Sequence, residues 1–165
     1  MNNIKSFTEF SLTENIKTND SILDDFLNRL NNIHPLQPSG LSRNEFIYDN
    51  KALLIFNRFD KRDRNEIELQ NISVFDKGER IGSSVMKDIT DIADKMGITL
   101  TLEAKPFGRH IDGLDKENLI NFYKKNGFET DMTSFGGDFE TEEEMIDYVI
   151  SENTEGLAMI RKPKN

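Results

Sequence analysis

The chain contains no cysteine. That excludes a disulfide framework, thiolate metal sites and a cysteine nucleophile together, and it suits a reducing, cytoplasmic setting. Proline is scarce: Pro35, Pro38, Pro106 and Pro163 are all there is. With no Gly/Ser linker and no internal repeat either, the expectation is one domain over residues 1–165. There are two histidines, His34 and His110, and no His/Asp/Glu grouping has the spacing of metal ligands, so no metal is expected. Long apolar runs are missing too. None approaches the roughly 18 residues of a membrane span, and the start MNNIKSFTEF lacks the basic-then-apolar order of a signal peptide. A soluble protein with no membrane partner is expected. Basic residues are outnumbered, 21 Lys and Arg against 30 Asp and Glu, for a formal net charge of −9. Such a chain has no long-range field to attract phosphate backbones, so nucleic acid is not an expected partner.

What is present alternates between strand and helix periodicity. Ile4 to Leu12 reads as a strand, and Asn19 or Asp20 caps a helix through Ile22, Leu23, Phe26, Leu27, Leu30 and Ile33. After a loop from His34 to Arg43, strands at Phe46–Tyr48 and Ala52–Phe59 flank Asp49-Asn50, a pair that tolerates the left-handed conformations of a tight hairpin. From Glu66 to Phe75 the inward parity flips: Ile67 and Leu69 share one phase, Ile72 and Val74 the other. A β-bulge at Gln70-Asn71 would restore the apolar face; a strand buried on both sides in its second half is the alternative. Ile81, Val85, Met86, Ile89, Ile92, Ala93 and Met96 then form one helical stripe, ended by Gly97. Ile98–Ala104 alternates with Thr99, Thr101 and Glu103, which implies a right-handed crossover between parallel neighbours. Asp115 caps a helix through Tyr123 that stops at Gly127, and a strand is expected from Phe128 to about Phe135. Thr141 to Glu144 is a capping box that starts an acidic helix in an insertion at about 136–155, and Leu157–Arg161 closes as a strand. Glu129 to Glu155 holds no Lys or Arg, which reads either as a solvated face or as a rim that attracts a cation.

The stretch Ile72 to Met86 passes from a strand through a Gly-containing turn into a helix. Backbone N–H groups at such a helix start are unpaired and carry about half a positive charge, so a pyrophosphate fits there. Taken with Ala93–Leu102 and with Leu119-Ile120-Asn121-Phe122-Tyr123-Lys124-Lys125-Asn126-Gly127-Phe128, this stretch resembles the GNAT N-acetyltransferase superfamily. The closing Met159–Pro163 resembles the end of compact phage-encoded members. The resemblance implies an α/β GNAT acyltransferase fold: a mixed, mostly antiparallel sheet with helices on both faces and a central parallel β-α-β crossover. It implies acetyl-coenzyme A as co-substrate, no metal, an amine acceptor, and a monomer or homodimer. A carrier of the fold that binds a host protein without turnover is the alternative.

The same resemblance assigns residues. Acetyl-coenzyme A would lie between the strand ending at Val74 and the strand Ile98–Ala104, splayed by the bulge. Ile72, Val74, Lys77, Gly78, Glu79, Arg80, Ile81, Gly82, Ser83, Asn118 and Lys124 would hold it. The family's phosphate turn has Gln or Arg, then Gly, then Gly or Ala at fixed spacing; here Lys77 takes the first position and Arg80 the first Gly. Either Arg80 is left-handed at a cost of about 1–2 kcal/mol, or the turn is helical there and its guanidinium meets phosphate. The second is the expectation. Tyr123 matches the family's recurrent tyrosine, a general acid for the departing thiolate, although beside Phe122 it also reads as a core aromatic. Glu68, six residues before Val74, has the spacing of a carboxylate that draws the amine proton through water; Glu66 and Glu68 on an exposed strand face is the plainer reading. His34 or His110 in loops could serve as base instead.

Overall fold

The computed structural model describes residues 21–57, 65–76, 80–106, 115–134, 139–151 and 156–164. The expected strand at Ile4–Leu12, the cap at Asn19 or Asp20, His110 and the turn residues Lys77, Gly78 and Glu79 lie outside them. The first element, α1 (Ser21–Ile33), buries Leu23, Phe26, Leu27 and Leu30 at the i, i+3, i+4, i+7 spacing of one helical face. Pro35 ends it, and the Leu36 N–H is taken by the Asn31 side chain at 2.9 Å. Three residues then form β1 (Leu36–Pro38), a short strand inside the segment expected to be loop. With a proline at its end it is suited to a sheet edge, and among the described residues it pairs only with β2 (Glu45–Tyr48).

Between β2 and β3 (Ala52–Asn57), Asp49 and Asn50 take φ of 51° and 53°, and the Lys51 N–H returns to the Tyr48 carbonyl at 2.9 Å. This is the left-handed hairpin turn that the Asp-Asn pair predicts. Next, β4 (Glu66–Val74) pairs antiparallel with β3, and the register slips once: Ile55 faces Asn71 while Phe56 faces Leu69. Gln70 is the extra residue, so the parity flip is a bulge and not a doubly buried strand.

The long helix α2 (Ile81–Met96) buries its apolar stripe and closes at Gly97, φ 67°, whose left-handed conformation returns the Ile98 N–H to the Ala93 carbonyl at 2.8 Å. It leads to β5 (Thr99–Ala104), parallel to β4, and then to α3 (Lys116–Lys125), capped by the Asp115 carboxylate on the Asn118 N–H at 2.8 Å. The strand expected over Phe128–Phe135 is cut to β6 (Glu129–Thr130). Asp131 ends it, because its side chain takes the Thr133 N–H at 3.0 Å and turns the chain away. Between β6 and the final strand β7 (Leu157–Arg161) stands α4 (Glu142–Ser151), with Met145 and Val149 buried.

Among the described residues seven strands run β1-β2-β3-β4-β5-β7-β6, antiparallel except for the β4–β5 pair. With the four helices of those residues they make a mixed α/β fold with a mostly antiparallel open sheet and one parallel crossover, as the patterning and the resemblance lead one to expect. On one sheet face Phe46, Leu54, Phe56, Leu69, Leu102 and Met159 are buried, and α1 and α2 pack on it, with Phe26 meeting Phe56 edge-on at 5.8 Å. Alternate residues put Glu66, Glu68, Thr101 and Ala158 on the other face, where they are half-buried. Among the described residues no helix is long and apolar enough to cross a membrane.

Two helices and β7 meet at Arg161, which is 3% exposed. Its guanidinium grips both Asp94 oxygens of α2 at 2.8 and 2.7 Å, and its Nε donates to the Asn126 carbonyl at the end of α3 at 3.2 Å. This bidentate contact holds the Asp94 carboxyl below the ordinary carboxylate range, aided by the Lys164 N–H. Asp94 keeps some access to water, so Arg161→Met should cost about 3 kcal/mol, the low end for breaking a buried pair. Urea unfolding measures it. The depressed Asp94 value stabilises the fold fully above about pH 4. That contribution is lost as pH falls through the folded-state value. In Asp94→Asn the stability curve should therefore lose part of its acid limb, read as urea midpoint against pH.

Candidate functional site

β4 and β5 are paired over four residues only, Glu66–Leu69 with Thr99–Leu102. Past Gln70, Asn71–Val74 follow β3 while Glu103 and Ala104 follow β7. The bulge bends β4 away, because the extra residue raises the local twist. A wedge opens in the middle of the sheet, and among the described residues neither strand has a partner along it. Ile72 and Val74 line the β4 side, half-buried.

The wedge points at the start of α2. There the structure corrects the expectation for Arg80: its φ of 54° and ψ of 24° are left-handed, not helical. Arg80 is the N-cap residue, with no side-chain bond of its own to the first turn, and its carbonyl accepts the Ser84 N–H at 3.0 Å. A side chain with a Cβ pays about 1–2 kcal/mol for that conformation. Ile81 is buried and Ser83 is exposed on the first turn. Gly82 has ordinary backbone angles; a Cβ there would touch Val74 at 3.7 Å and Phe122 at 3.8 Å. An alanine would fit at Gly82, and a large side chain would push α3 off α2.

Through Phe122, α3 is thus brought to the mouth of the wedge. Asn118, one turn earlier on the same helix face, donates its side-chain amide to Asp115 at 3.0 Å. Tyr123 is 7% exposed, between the rings of Phe122 at 5.3 Å and Phe128 at 5.7 Å. Among the described residues its hydroxyl has no hydrogen-bond partner. Burial pushes its pKa up to about 12, so the phenol keeps its proton across the working range. Lys124 is turned about 200° round the helix from Phe122. It is paired with Glu142 of α4 at 2.8 Å, away from the start of α2.

On the half-buried sheet face, below the point where β4 and β5 part, is an open groove of about 590 Å³. Glu66, Glu68, Glu103, Asp131, Thr101 and Ser134 line it, and no described Lys, Arg or His does. The Asn57 side chain donates to Glu68 at 3.4 Å, Thr101 donates to Glu66 at 3.4 Å, and the Gly156 N–H donates to Glu103 at 2.6 Å. Glu103 is no candidate from the sequence, and Asp131 enters there only as a member of the acidic run Glu129–Glu155. The alternation that turns Glu103 to Glu68's face is visible in the sequence; the placement of Asp131 is not, since it depends on β7 lying between β5 and β6.

His34 is elsewhere. It stands against Tyr48 and Asp49 beside a smaller cavity of about 150 Å³, where the Tyr48 hydroxyl donates to Asp88 at 3.0 Å. Burial, then the Asp88 carboxylate, raises Tyr48 above the usual phenol range. Among the described residues no group of three or more His, Cys, Asp or Glu could hold a metal ion.

Neither a protein-family model nor a curated protein sequence matches the chain. Among solved structures it is similar to the anti-CRISPR protein AcrVA5, with 22% identity over 67% of this chain and 90% of that one, at a TM-score of 0.44. It is similar to nourseothricin acetyltransferase, with 16% identity over 73% of this chain, at 0.42; there it spans 64% of the other protein's length. A Bacillus subtilis acetyltransferase in complex with CoA is a third, with 14% identity over 88% of this chain and 85% of that one, at 0.39.

The strain at Arg80 can be read directly. Arg80→Gly should raise stability by up to about 1 kcal/mol, since relief of the left-handed penalty outweighs the chain entropy that glycine adds. A lowered thermal midpoint would mean that the Arg80 side chain contributes packing the geometry does not reveal.

Proposed function

We propose that this chain is a GNAT-type N-acetyltransferase domain that moves the acetyl group of acetyl-coenzyme A directly to a primary amine. The observation that carries the reading is the parting of β4 and β5 at Gln70, aimed at the N-terminus of α2. The residues fit such a co-substrate. The backbone edges at Ile72 and Val74 suit an extended amide-bearing arm, and the first N–H groups of α2 at Ile81, Gly82 and Ser83 suit its pyrophosphate. The exposed Arg80 guanidinium adds a charge there. Acetyl-coenzyme A supplies an activated thioester, and the rest of the chemistry belongs to the side chains.

An alkyl ammonium must lose a proton before it can attack, since its pKa is about 10. Glu68, half-buried in the groove, is the group to draw that proton, through water. A carbon–nitrogen bond then forms and the carbon–sulfur bond breaks. Tyr123 offers its phenolic proton to the departing sulfur. Full transfer from a phenol at about 12 to a thiolate near 8.5 is uphill, so Tyr123 acts as hydrogen-bond donor to the sulfur and solvent completes the protonation. The four carboxylates of the groove favour an acceptor that arrives as a cation.

The rival is a binding protein that keeps the shape without turnover, favoured by an arginine in the left-handed cap position. Acetyl-coenzyme A at about 100 times its dissociation constant should stabilise the fold by about 2.7 kcal/mol under either reading. Release of free thiol in the presence of pooled amines is expected only for the transferase; a thermal shift without thiol release would favour the rival.

In Tyr123→Phe the ring packing is kept and the proton is lost. Coenzyme binding should barely change while kcat falls by about 10²–10³-fold, as for the loss of one hydrogen-bond donor to developing charge. A large drop in thermal midpoint with kcat intact would make the hydroxyl structural. For a cationic acceptor KM should rise with salt, because the Debye length shrinks from about 10 Å at 0.1 M to about 3 Å at 1 M. Salt-independent KM would remove the groove's charge from acceptor capture.

A further inference from the structure

The chemistry just proposed leaves α4 without a part, yet its attachment to α3 is specific. The two helices lie side by side and antiparallel, joined at both ends by lysines of α3. Lys116 Nζ, at the start of α3, donates to the Val149 carbonyl near the end of α4 at 2.8 Å. Lys124 Nζ, at the end of α3, is 2.8 Å from Glu142 Oε1 at the start of α4. At 1.5 Å per residue the anchors are about 12 Å apart on α3 and about 10.5 Å apart on α4, so the spans match.

Glu142 does more than pair. Its Oε1 also accepts the Thr130 hydroxyl at 2.7 Å, and Thr130 is buried in β6, opposite Met159 of β7. One carboxylate therefore joins α3, β6 and α4. Lys124, then Thr130, hold it below the ordinary carboxylate range, so it is ionised at neutral pH.

Helix α3 depends on such anchors. It has 10 residues and buries only Ile120 and Tyr123; isolated helices shorter than about 12–15 residues are marginal in water. On one flank Phe122, like Val74, faces the space above Gly82; on the opposite flank Lys124 meets Glu142. Tyr123 stands between them in the chain, so a roll or slide of α3 moves its phenol directly.

We infer that Glu142 is a positioning residue: through Lys124 and Thr130 it fixes the rotation of α3 and with it the place of the Tyr123 hydroxyl. The inference rests on the acetyl-transfer reading for its catalytic consequence and on the contacts alone for the brace. It also gives this acidic helix start a role inside the protein, whereas Glu143 and Glu144 remain exposed.

The test compares Glu142→Gln with the wild type in the full chain, by steady-state kinetics and by hydrogen exchange of residues 117–125 without ligand. Glutamine keeps the size and can still accept from Thr130, but loses the charge that holds Lys124. The expected result is a kcat lowered roughly ten- to hundredfold, as for a small misplacement of a reacting group, with KM for acetyl-coenzyme A within about twofold and faster exchange across α3. Thr130→Val, which removes the second partner and preserves shape, should move both readouts the same way, and the double variant should add little to either single. Unchanged kcat with only a lower thermal midpoint would reduce Glu142 to a plain structural anchor and overturn the inference. Tighter acetyl-coenzyme A binding in Glu142→Gln would overturn it too, by showing Glu142 as a competitor for Lys124. If the wild type transfers no acetyl group, the functional reading fails on its own; faster exchange in Glu142→Gln would still sustain the brace, and unchanged exchange would overturn it.

Discussion

The buried guanidinium of Arg161 is the contact on which the arrangement of the whole C-terminal half depends. A charge can be taken out of water only where its hydrogen bonds are replaced, and Arg161 finds them on Asp94 of α2 and on the Asn126 carbonyl at the end of α3. Its strand is thereby located against both helices at once. An apolar residue at this place could fill the volume, yet it would not specify which turn of α2 faces the end of α3. With those two ends fixed, the first turn of α2 comes to lie beside Phe122, one turn before the end of α3, so that a Cβ at Gly82 would meet both Val74 and Phe122.

A second constraint works against the first kind of order. A sheet gains stability by pairing every backbone group, and the single extra residue Gln70 denies that to the second half of β4. The β4–β5 pair forgoes further ladder at the point where α2 presents its unpaired N–H groups. Strain of the same character recurs one turn later, at the left-handed Arg80. Three departures from regular structure thus fall within a dozen residues: the bulge, the wedge and the cap. The regular hairpins and the apolar stripe of α2 supply the stability that makes them affordable.

How much of this was legible in the sequence follows from how local each feature is. The α2 stripe with Gly97 behind it and the Asp49-Asn50 turn are written in neighbouring residues, and periodicity reads them; the parity flip at Gln70 is local too, but it fits a bulge and a doubly buried strand alike until the pairing with β3 decides. The strand β1 was hidden because three residues beside two prolines carry no alternation. The strand expected after Phe128 failed at Asp131, whose side chain prefers its own turn to a ladder. Of the site, Tyr123 and Glu68 could be named from the resemblance, but the meeting of Glu68 with Glu103 and Asp131 needs the lateral order of β4, β5, β7 and β6. Lys124 shows the same limit: its chain position says nothing of Glu142, which reaches it only through the packing of α4 on α3. Arg80 was misjudged because nothing in its neighbours forbids a helical turn; the path from β4 into α2 decides it.

The lateral order has a kinetic side. β7 follows β6 in the chain but lies between β5 and β6, and among the described residues β6 has no partner except β7. Until residues 157–161 slot into place, the long edge of β5 stays open and β6 cannot join at all. Closure therefore waits on contacts between segments far apart in sequence, which slows folding and lengthens the life of an intermediate with a bare strand edge. Such an edge invites pairing with another chain. At high concentration during refolding, the step most exposed to aggregation is the insertion of this one strand, and conditions that speed it will govern the yield of native protein.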